Sequence, residues 1–205
     1  VRIFVFSDLR TGLAYDQNRL VGFDEYVWKD VETLVRIAGE TGMRIIPVLF
    51  DFHIADGIGW ESKTGEHPEL IFYGEKEYFL HAVLRPFIAA LGRWDRAHGH
   101  PILAVDLMNE PENMAMLAVP GFYPGLYGWL KDITNIIHRE SSLRVTLGSK
   151  SLVDAQRWWN GIDIDLWQFH FYPYMERDHE QDPLRTPRVK IPLPGIIFAG
   201  ELPPQ

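Results

Sequence analysis

The sequence predicts an α/β fold built on a parallel sheet, and two observations lead there. Six short apolar runs recur along the chain, and segments with helical periodicity lie between most of them. Strands that alternate with helices pair in one direction, either in an open sheet or in a closed barrel. The strand-like runs cover residues 1–6, 44–50, 100–111, 144–148, 162–172 and 194–201.

The helices follow from apolar residues spaced three and four positions apart. They are predicted over 27–38, 79–94, 126–137 and 152–159. Gly42 supplies the stop of the first helix, and Pro86 is expected to kink the second. Pro47 lies in a strand-like run and cannot donate to the ladder, so a bulge or an end is expected there. A polar loop is predicted over 7–18, and a long polar loop over 54–74.

The number of strands favours a (β/α)8 TIM barrel that is incomplete in this chain. Such a barrel needs eight strands, and six are present here. We therefore expect a single domain over residues 1–205 that contains the strands equivalent to the second through seventh, with the first and eighth missing. The alternative is an open doubly wound sheet, but the glycine-rich turn that usually follows its first strand is absent.

The amino-acid composition argues against several classes of function. The chain of 205 residues carries a formal charge of -8, which leaves no basic surface for a phosphate backbone, so no nucleic-acid partner is expected. No apolar run is long enough to span a bilayer. With no cysteine, disulfides and thiolate metal sites are excluded. Seven Trp and eight Tyr provide flat faces that can stack on sugars, although most aromatic residues pack in cores.

Polar residues gather where the predicted strands end. The carboxyl ends of barrel strands meet at one rim, and barrel enzymes carry their chemistry there. The residues at these ends are Asp51, His53, Asn109, Glu110, His170, Tyr172 and Glu201. Each can form hydrogen bonds or ionise, although polar residues also cap strands for structural reasons alone.

Glu110 and Glu201 are the central pair of this prediction. Pro111 ends the buried run that carries Glu110, because it cannot donate a backbone hydrogen bond, and Glu201 ends the last run. Two carboxyl groups that converge from different strands can divide the acid and nucleophile roles. Retaining glycosidases use such a pair at a separation of about 5–5.5 Å.

These motifs resemble glycoside hydrolases of clan A, most closely family five, the cellulases and mannanases. Residues 109–111 resemble the family's Asn-Glu-Pro signature, and residues 199–201 resemble its nucleophile strand, from which Leu202 departs mildly. Residues 1–3, 48–53 and 170–172 resemble the second, third and sixth barrel strands. The resemblance spans nearly the whole chain but lacks the first strand and the eighth, where the family carries a Trp beneath the sugar.

The resemblance implies roles for the two glutamates and for Asn109. Glu110 is the implied general acid/base, Glu201 the implied nucleophile, and Asn109 binds the sugar 2-hydroxyl group. Successive strand residues point to opposite faces, so Asn109 and Glu110 can both reach the site only if the strand bulges near its end.

The resemblance also implies supporting residues around that pair. Arg2 is expected beside Glu201, where it favours the charged carboxylate, and Tyr172 is expected to orient the same group. His53 and His170 are expected to line the site, with a purely structural role left open for each.

The implied substrate is an oligo- or polysaccharide with β-linkages of the cellulose or mannan type, cut at β-1,4 bonds without a cofactor or metal. Internal cleavage is the expected mode, with terminal cleavage left open. Trp60, Trp158 and Trp159 are candidates for stacking on sugar rings, with core or loop packing as the alternative. We expect a monomer without a membrane partner, and the resemblance favours a secreted or periplasmic location.

Two other interpretations stay open. A metal-dependent barrel hydrolase could use Asp51, His53, Glu110, His170 and Glu201 as ligands, but the sequence has neither a His-x-His pair at its first strand nor a His-Glu-x-x-His motif. A non-catalytic carbohydrate-binding barrel, or an inactive fragment, would bind sugars without turnover.

Overall fold

The computed structural model describes residues 1–6, 12–17, 19–55, 75–114, 121–171 and 196–200. The strands among them are β1 (Arg2–Phe4), β2 (Leu13–Asp16), β3 (Arg19–Phe23), β4 (Ile46–Asp51), β5 (Val105–Asn109), β6 (Val145–Ser149), β7 (Leu166–Phe171) and β8 (Ile196–Gly200). The α-helices are α1 (Glu25–Thr41), α2 (Lys76–Tyr78), α3 (Arg85–Ala97), α4 (Phe122–Glu140) and α5 (Leu152–Trp159). A π-helical segment, Phe79–Leu84, joins α2 to α3.

Six of the described strands form one sheet in the order β1-β4-β5-β6-β7-β8, and every neighbouring pair is parallel. The order follows the chain throughout, without the reversal that marks an open doubly wound sheet. The predicted parallel α/β architecture is therefore confirmed. The described part of the sheet has the strand order of a barrel segment.

Helix α1 shows how closely local sequence signals set the ends of an element. The Asp24 side chain caps its start by accepting hydrogen bonds from the backbone of Tyr26 and Val27, each at 3.0 Å. Gly42 ends it in the left-handed conformation at a φ of 68°, where a side chain would be strained. Both the predicted helix and its predicted stop are confirmed.

The expectation of a loop over residues 7–18 is wrong where this segment is described. Leu13–Asp16 and Arg19–Phe23 pair as an antiparallel hairpin. Leu13 and Phe23 pack against the hydrophobic core, which gives the hairpin its anchor. Strands this short carry too few alternating positions to produce a clear periodicity.

Among the described residues, three prolines fall inside strands or α-helices. Pro47 is the second residue of β4, so the expected strand end lies beside it, and the strand shows no bulge against β1 or β5. Pro86 is the second residue of α3, directly after the π-helical segment, where the helix changes its hydrogen-bond pattern. Pro124 lies in the first turn of α4, where its missing N–H is tolerated, and the helix begins earlier than predicted, at Phe122.

The central strands of the sheet are buried, as expected of parallel strands covered by helices, whereas the edge strand β1 is partly exposed. Every residue of β4 and β6 is buried, and in β5 Asn109 alone is half-buried. Trp129 of α4 packs on the Phe50 ring at a centroid distance of 4.9 Å, which ties the helical layer to the sheet. Among the described helices, none is both long and apolar enough to cross a bilayer.

Candidate active site

Glu110 lies at the carboxyl end of β5 in an unusual backbone conformation. Its φ of 44° and ψ of 52° place it in the left-handed region, which non-glycine residues rarely adopt. Its backbone N–H donates to the Gly148 carbonyl at 2.5 Å, which anchors the turn to β6. Strand β5 also shifts register against β6 between Asp106 and Asn109. This irregularity lies where a bulge was expected, and the turn at Glu110 follows it.

Both oxygens of the Glu110 carboxyl group are held. His170 Nδ1 lies 2.5 Å from Oε1, and Asn113 Nδ2 donates to Oε2 at 2.6 Å. Glu110 is only 7% exposed, and His170 is equally buried. His170 comes from β7 and Asn113 from the turn after Pro111, so two separate elements fix the direction of this carboxyl group.

Asn109 is held at both ends of its amide. Its Oδ1 accepts a hydrogen bond from Arg2 Nη2 at 3.0 Å, and its Nδ2 donates to Asp51 Oδ2 at 2.9 Å. Asp51 ends β4 and accepts a further bond from the backbone N–H of His53 at 3.1 Å. The His53 side chain is 57% exposed. The structure thus joins Arg2 to Asn109 and His170 to Glu110 by direct contacts, and Asn109 and Glu110 are neighbours in the chain. His53 lies at the edge, where its backbone contacts Asp51.

Asp106 forms the floor of this group, and the sequence analysis did not identify it as a site residue. Its Oδ2 accepts from Arg2 Nη2 at 2.8 Å and from Gln168 Nε2 at 3.1 Å, and its Oδ1 accepts from the Gly148 N–H at 2.9 Å. The residue is 0% exposed. Burial raises the pKa of Asp106 above 3.8, while the charge and hydrogen bond of Arg2 act in the opposite direction.

The sequence does contain a sign of the buried contact between Asp106 and Gln168. Asp106 is a charged residue inside an apolar run, and Gln168 lies between Trp167 and Phe169 in another. Buried polar groups of this kind require partners, so two of them, in the runs before and after the one that carries Gly148, indicate a shared polar contact. Gly148, between them on β6, gives no such signal on its own.

A second buried carboxyl group, that of Glu112, lies two residues after Glu110. It accepts hydrogen bonds from Ser149 Oγ, from Trp159 Nε1 at 2.6 Å and from the Lys150 N–H at 3.3 Å. Burial raises the pKa of Glu112 above 4.5, and the bonds from Ser149 and Trp159 act against that rise. These contacts fasten the turn after β5 to β6 and α5.

The two neighbouring tryptophans differ in their surroundings. Trp159 is 0% exposed and its indole N–H is bound to Glu112, so it has no free face for a sugar. The suggested stacking role of Trp159 is therefore wrong, and the alternative of core packing holds. Trp158 is half-buried and lies beneath the Arg157 guanidinium at 4.9 Å.

Three predicted site residues, Trp60, Tyr172 and Glu201, lie outside the described residues. The backbone of the last strand is described up to Gly200, which pairs with Phe171 in parallel register. Ala199 pairs in the same way with His170. Glu201 therefore follows directly, in sequence, a strand end that lies level with the end of β7.

Within the described residues, no group of three or more His, Cys, Asp or Glu side chains is arranged to hold a metal ion. Glu110, His170 and Asp106 contact donors and acceptors of the protein itself. The described part of the site is thus a hydrogen-bonded network of side chains.

The fold is similar to that of two proteins whose structures have been solved. The chain superposes on the exo-β-1,4-mannosidase of an Opitutaceae bacterium, strain TAV5, with a TM-score of 0.57 and 15% identity, covering 84% of this chain and 31% of the other. It superposes on a GH5_18 protein of Bifidobacterium longum, solved with Manβ1-4GlcNAc, with a TM-score of 0.50 and 14% identity, covering 83% and 40%. Over the part that superposes, the chain shares the fold of these two proteins, and its described sheet corresponds to an incomplete TIM barrel.

This chain spans less than half the length of either of these barrel proteins. No protein-family model matches its sequence, and a comparison with curated proteins found no match. In a barrel of this kind, the carboxyl ends of the strands form the rim at which chemistry takes place. Asn109, Glu110 and Asp51 all lie at such ends.

Proposed function

We propose that the protein is a retaining glycoside hydrolase that cleaves β-linked glycans of the mannan or cellulose type, with Glu110 as acid/base and Glu201 as nucleophile. The observation that carries the proposal is the Glu110 carboxyl group, which His170 and Asn113 hold at the carboxyl end of β5 beside Asn109. The barrel proteins with the same fold support the substrate class. One is an exo-β-1,4-mannosidase, and the other was solved with the disaccharide Manβ1-4GlcNAc.

In the first step Glu110 protonates the departing glycosidic oxygen. Each carboxyl oxygen has two lone-pair positions, so an Oε2 that carries the proton can still accept from Asn113. The contacts to His170 and Asn113 keep the carboxyl group pointing in one direction, which is what a general acid needs in order to reach the leaving group.

Glu201 is the proposed partner, directly after Gly200 at the end of β8. Its carboxylate attacks the anomeric carbon as the bond to the protonated oxygen breaks, giving a glycosyl-enzyme ester. Glu110, now ionised, takes a proton from water. The resulting hydroxide attacks the same carbon and releases the Glu201 carboxylate, so the configuration at that carbon is retained.

The surrounding residues bind and orient the sugar. Asn109 donates one amide hydrogen to Asp51, and the second is proposed to bind the 2-hydroxyl group. Arg2 is held by Asp106 and Asn109, and its charge is proposed to favour the ionised form of Glu201. Tyr172 is proposed to orient Glu201.

Outer contacts complete the proposed site. His53 follows β4 with an exposed ring, so it is proposed to contact the sugar from the edge. Trp60 and Trp158 are the tryptophans proposed to stack on sugar rings.

The test compares three isosteric substitutions in the 205-residue chain, with mannan and cellulose oligosaccharides of β-1,4 linkage as substrates. Glu110→Gln and Glu201→Gln are each expected to lower kcat by about 10²–10⁴-fold, the usual worth of a positioned acid or base. Glu112→Gln is the matched control, since Glu112 is a buried glutamate of the same turn with no role in the reaction.

Near-normal turnover in Glu110→Gln or Glu201→Gln would reject the proposed roles. Oligosaccharide binding without any turnover in the unmodified chain, unchanged by Glu201→Ala, would favour a non-catalytic binding barrel.

A further inference from the structure

Gln168 bridges the floor of the candidate site and the histidine that holds Glu110. Its Nε2 donates to Asp106 Oδ2 at 3.1 Å and lies 3.5 Å from His170 Nε2. Gln168 is fully buried, and its position on β7 two residues before His170 puts both side chains on the same face of the strand.

The contact with Asp106 decides which way the Gln168 amide faces. Asp106 receives hydrogen bonds from Arg2 and from the Gly148 N–H, so its carboxylate acts as an acceptor. A flipped Gln168 would bring its carbonyl oxygen against the carboxylate, and two acceptors at that distance repel each other. The NH2 group therefore points toward Asp106.

The same NH2 group constrains the His170 ring. It has two hydrogens, and with one bound to Asp106 the other lies toward His170 Nε2. A ring nitrogen that faces a donor presents its lone pair, so the single proton of the neutral ring is on Nδ1. This is the nitrogen that lies 2.5 Å from Glu110 Oε1.

We propose that Gln168, anchored on Asp106, is a positioning residue that keeps His170 in the tautomer with its proton on Nδ1, so that His170 always donates to Oε1 of Glu110 and leaves Oε2 to deliver the acid proton. The proposal deepens the function assigned above and rests on Glu110 as the acid/base. A histidine tautomer is set by the hydrogen bond that its other nitrogen makes, and here the Gln168 amide makes it.

The direct test is ¹⁵N NMR of the 205-residue chain with ¹⁵N-labelled histidine, because nitrogen shifts and long-range couplings show which ring nitrogen carries the proton. The His170 signals are assigned by their loss in His170→Gln. We expect one proton, on Nδ1. A neutral ring with its proton on Nε2, or a ring protonated on both nitrogens at pH 7, would overturn the proposal. This spectrum of the unmodified chain is therefore a sufficient test by itself.

Gln168→Met keeps the volume and removes both polar ends of the amide. At the same pH, a protonated Nε2 signal is expected to emerge for His170, and kcat is expected to fall about tenfold with KM within about twofold, since part of the acid/base contribution is lost. An unchanged His170 spectrum would reject the role of Gln168. Thr146→Val is the matched control: Thr146 is buried on neighbouring β6, and the substitution is expected to leave the His170 spectrum unchanged.

The two proposals fail separately. If His170 shows the Nδ1 proton and responds to Gln168→Met while Glu110→Gln keeps full activity, the proposed reaction is wrong and the hold of Gln168 on His170 stands. If Glu110→Gln is inactive while the His170 spectrum ignores Gln168→Met, the inference on Gln168 is wrong and the reaction stands.

Discussion

Gly148 on β6 packs directly against the carboxyl group of Asp106 on the neighbouring strand β5. The Gly148 N–H donates to Asp106 Oδ1 at 2.9 Å. A Cβ atom added to Gly148 would lie 2.9 Å from Asp106 Oδ2, 2.8 Å from Arg2 Nη2 and 3.0 Å from Gln168 Nε2. The polar floor of the site therefore requires the absence of a side chain at position 148.

Gly148→Ala is expected to lower the free energy of unfolding by about 1–3 kcal/mol, the usual cost of overpacking a filled interior. The control is Gly128→Ala in helix α4, where an added Cβ meets no atom within 4 Å. Alanine there is expected to stabilise the helix by up to about 1 kcal/mol. Urea denaturation measures both, and equal effects of the two substitutions would contradict the tight fit at Gly148.

Arg2 supplies the positive charge that faces the buried Asp106. Arg2→Met is expected to cost about 3–5 kcal/mol of stability, because it leaves a buried carboxylate without its cation. Adding Asp106→Asn is expected to recover part of that loss.

The control for this prediction is Arg36→Met, which breaks an exposed pair with Glu40 at 2.7 Å in helix α1. Exposed pairs of this spacing are worth about 0.3–0.5 kcal/mol. A loss in Arg2→Met no larger than in Arg36→Met would show that Asp106 does not depend on its cation.

Trp159 and Trp158 are neighbours with different roles. Trp159→Phe removes the indole donor of Glu112 and is expected to cost at least about 1–3 kcal/mol, the penalty for an unsatisfied buried acceptor. Trp158→Phe is expected to cost less, since that ring is half-buried. Thermal unfolding of the two variants side by side checks the order, and the reverse order would refute it.

Glu112 is expected to make the free energy of unfolding fall as pH rises through the acidic range. Its pKa in the folded protein is raised above 4.5 by burial, so the folded state keeps a proton that the unfolded chain has released. The stabilisation from this group is complete below pH 4.5 and is lost as pH rises through the raised value.

Because glutamine does not titrate, the stability of the unmodified chain minus that of Glu112→Gln is expected to fall as pH rises from 4.5. Urea midpoints across the acidic range provide the measurement. A difference that grows with pH would contradict this sign. It would show that the hydrogen bonds to the Glu112 carboxylate stabilise its ionised form by more than burial destabilises it.

The sequence predicted those features that repeat or that follow from a single residue. The parallel sheet was predicted from recurrent apolar runs, and the end of α1 from Gly42. The condition that Asn109 and Glu110 both reach one site led to the expectation of a bulge near the end of β5, where the register against β6 shifts. Arg2 contacts Asn109 and His170 contacts Glu110, while the roles that the family resemblance implies for these residues stay predictions.

The features that sequence reasoning missed depend on contacts between distant strands. Asp106 and Gln168 are separated by 62 positions, and their pairing becomes evident only when β5, β6 and β7 lie side by side. Trp159 was assigned to the rim because its position in the sequence does not show that its indole meets Glu112 inside the fold. The hairpin of β2 and β3 depends on packing against the core, which short runs do not reveal.

A crystal structure of the unmodified chain with a β-1,4-linked oligosaccharide would measure the distance between the carboxyl groups of Glu110 and Glu201. The retaining mechanism predicts about 5–5.5 Å, with the glycosidic oxygen beside Glu110 and the anomeric carbon facing Glu201. A separation of about 6.5–9.5 Å would contradict retention, and glutamates that do not flank the sugar at all would contradict the hydrolase itself.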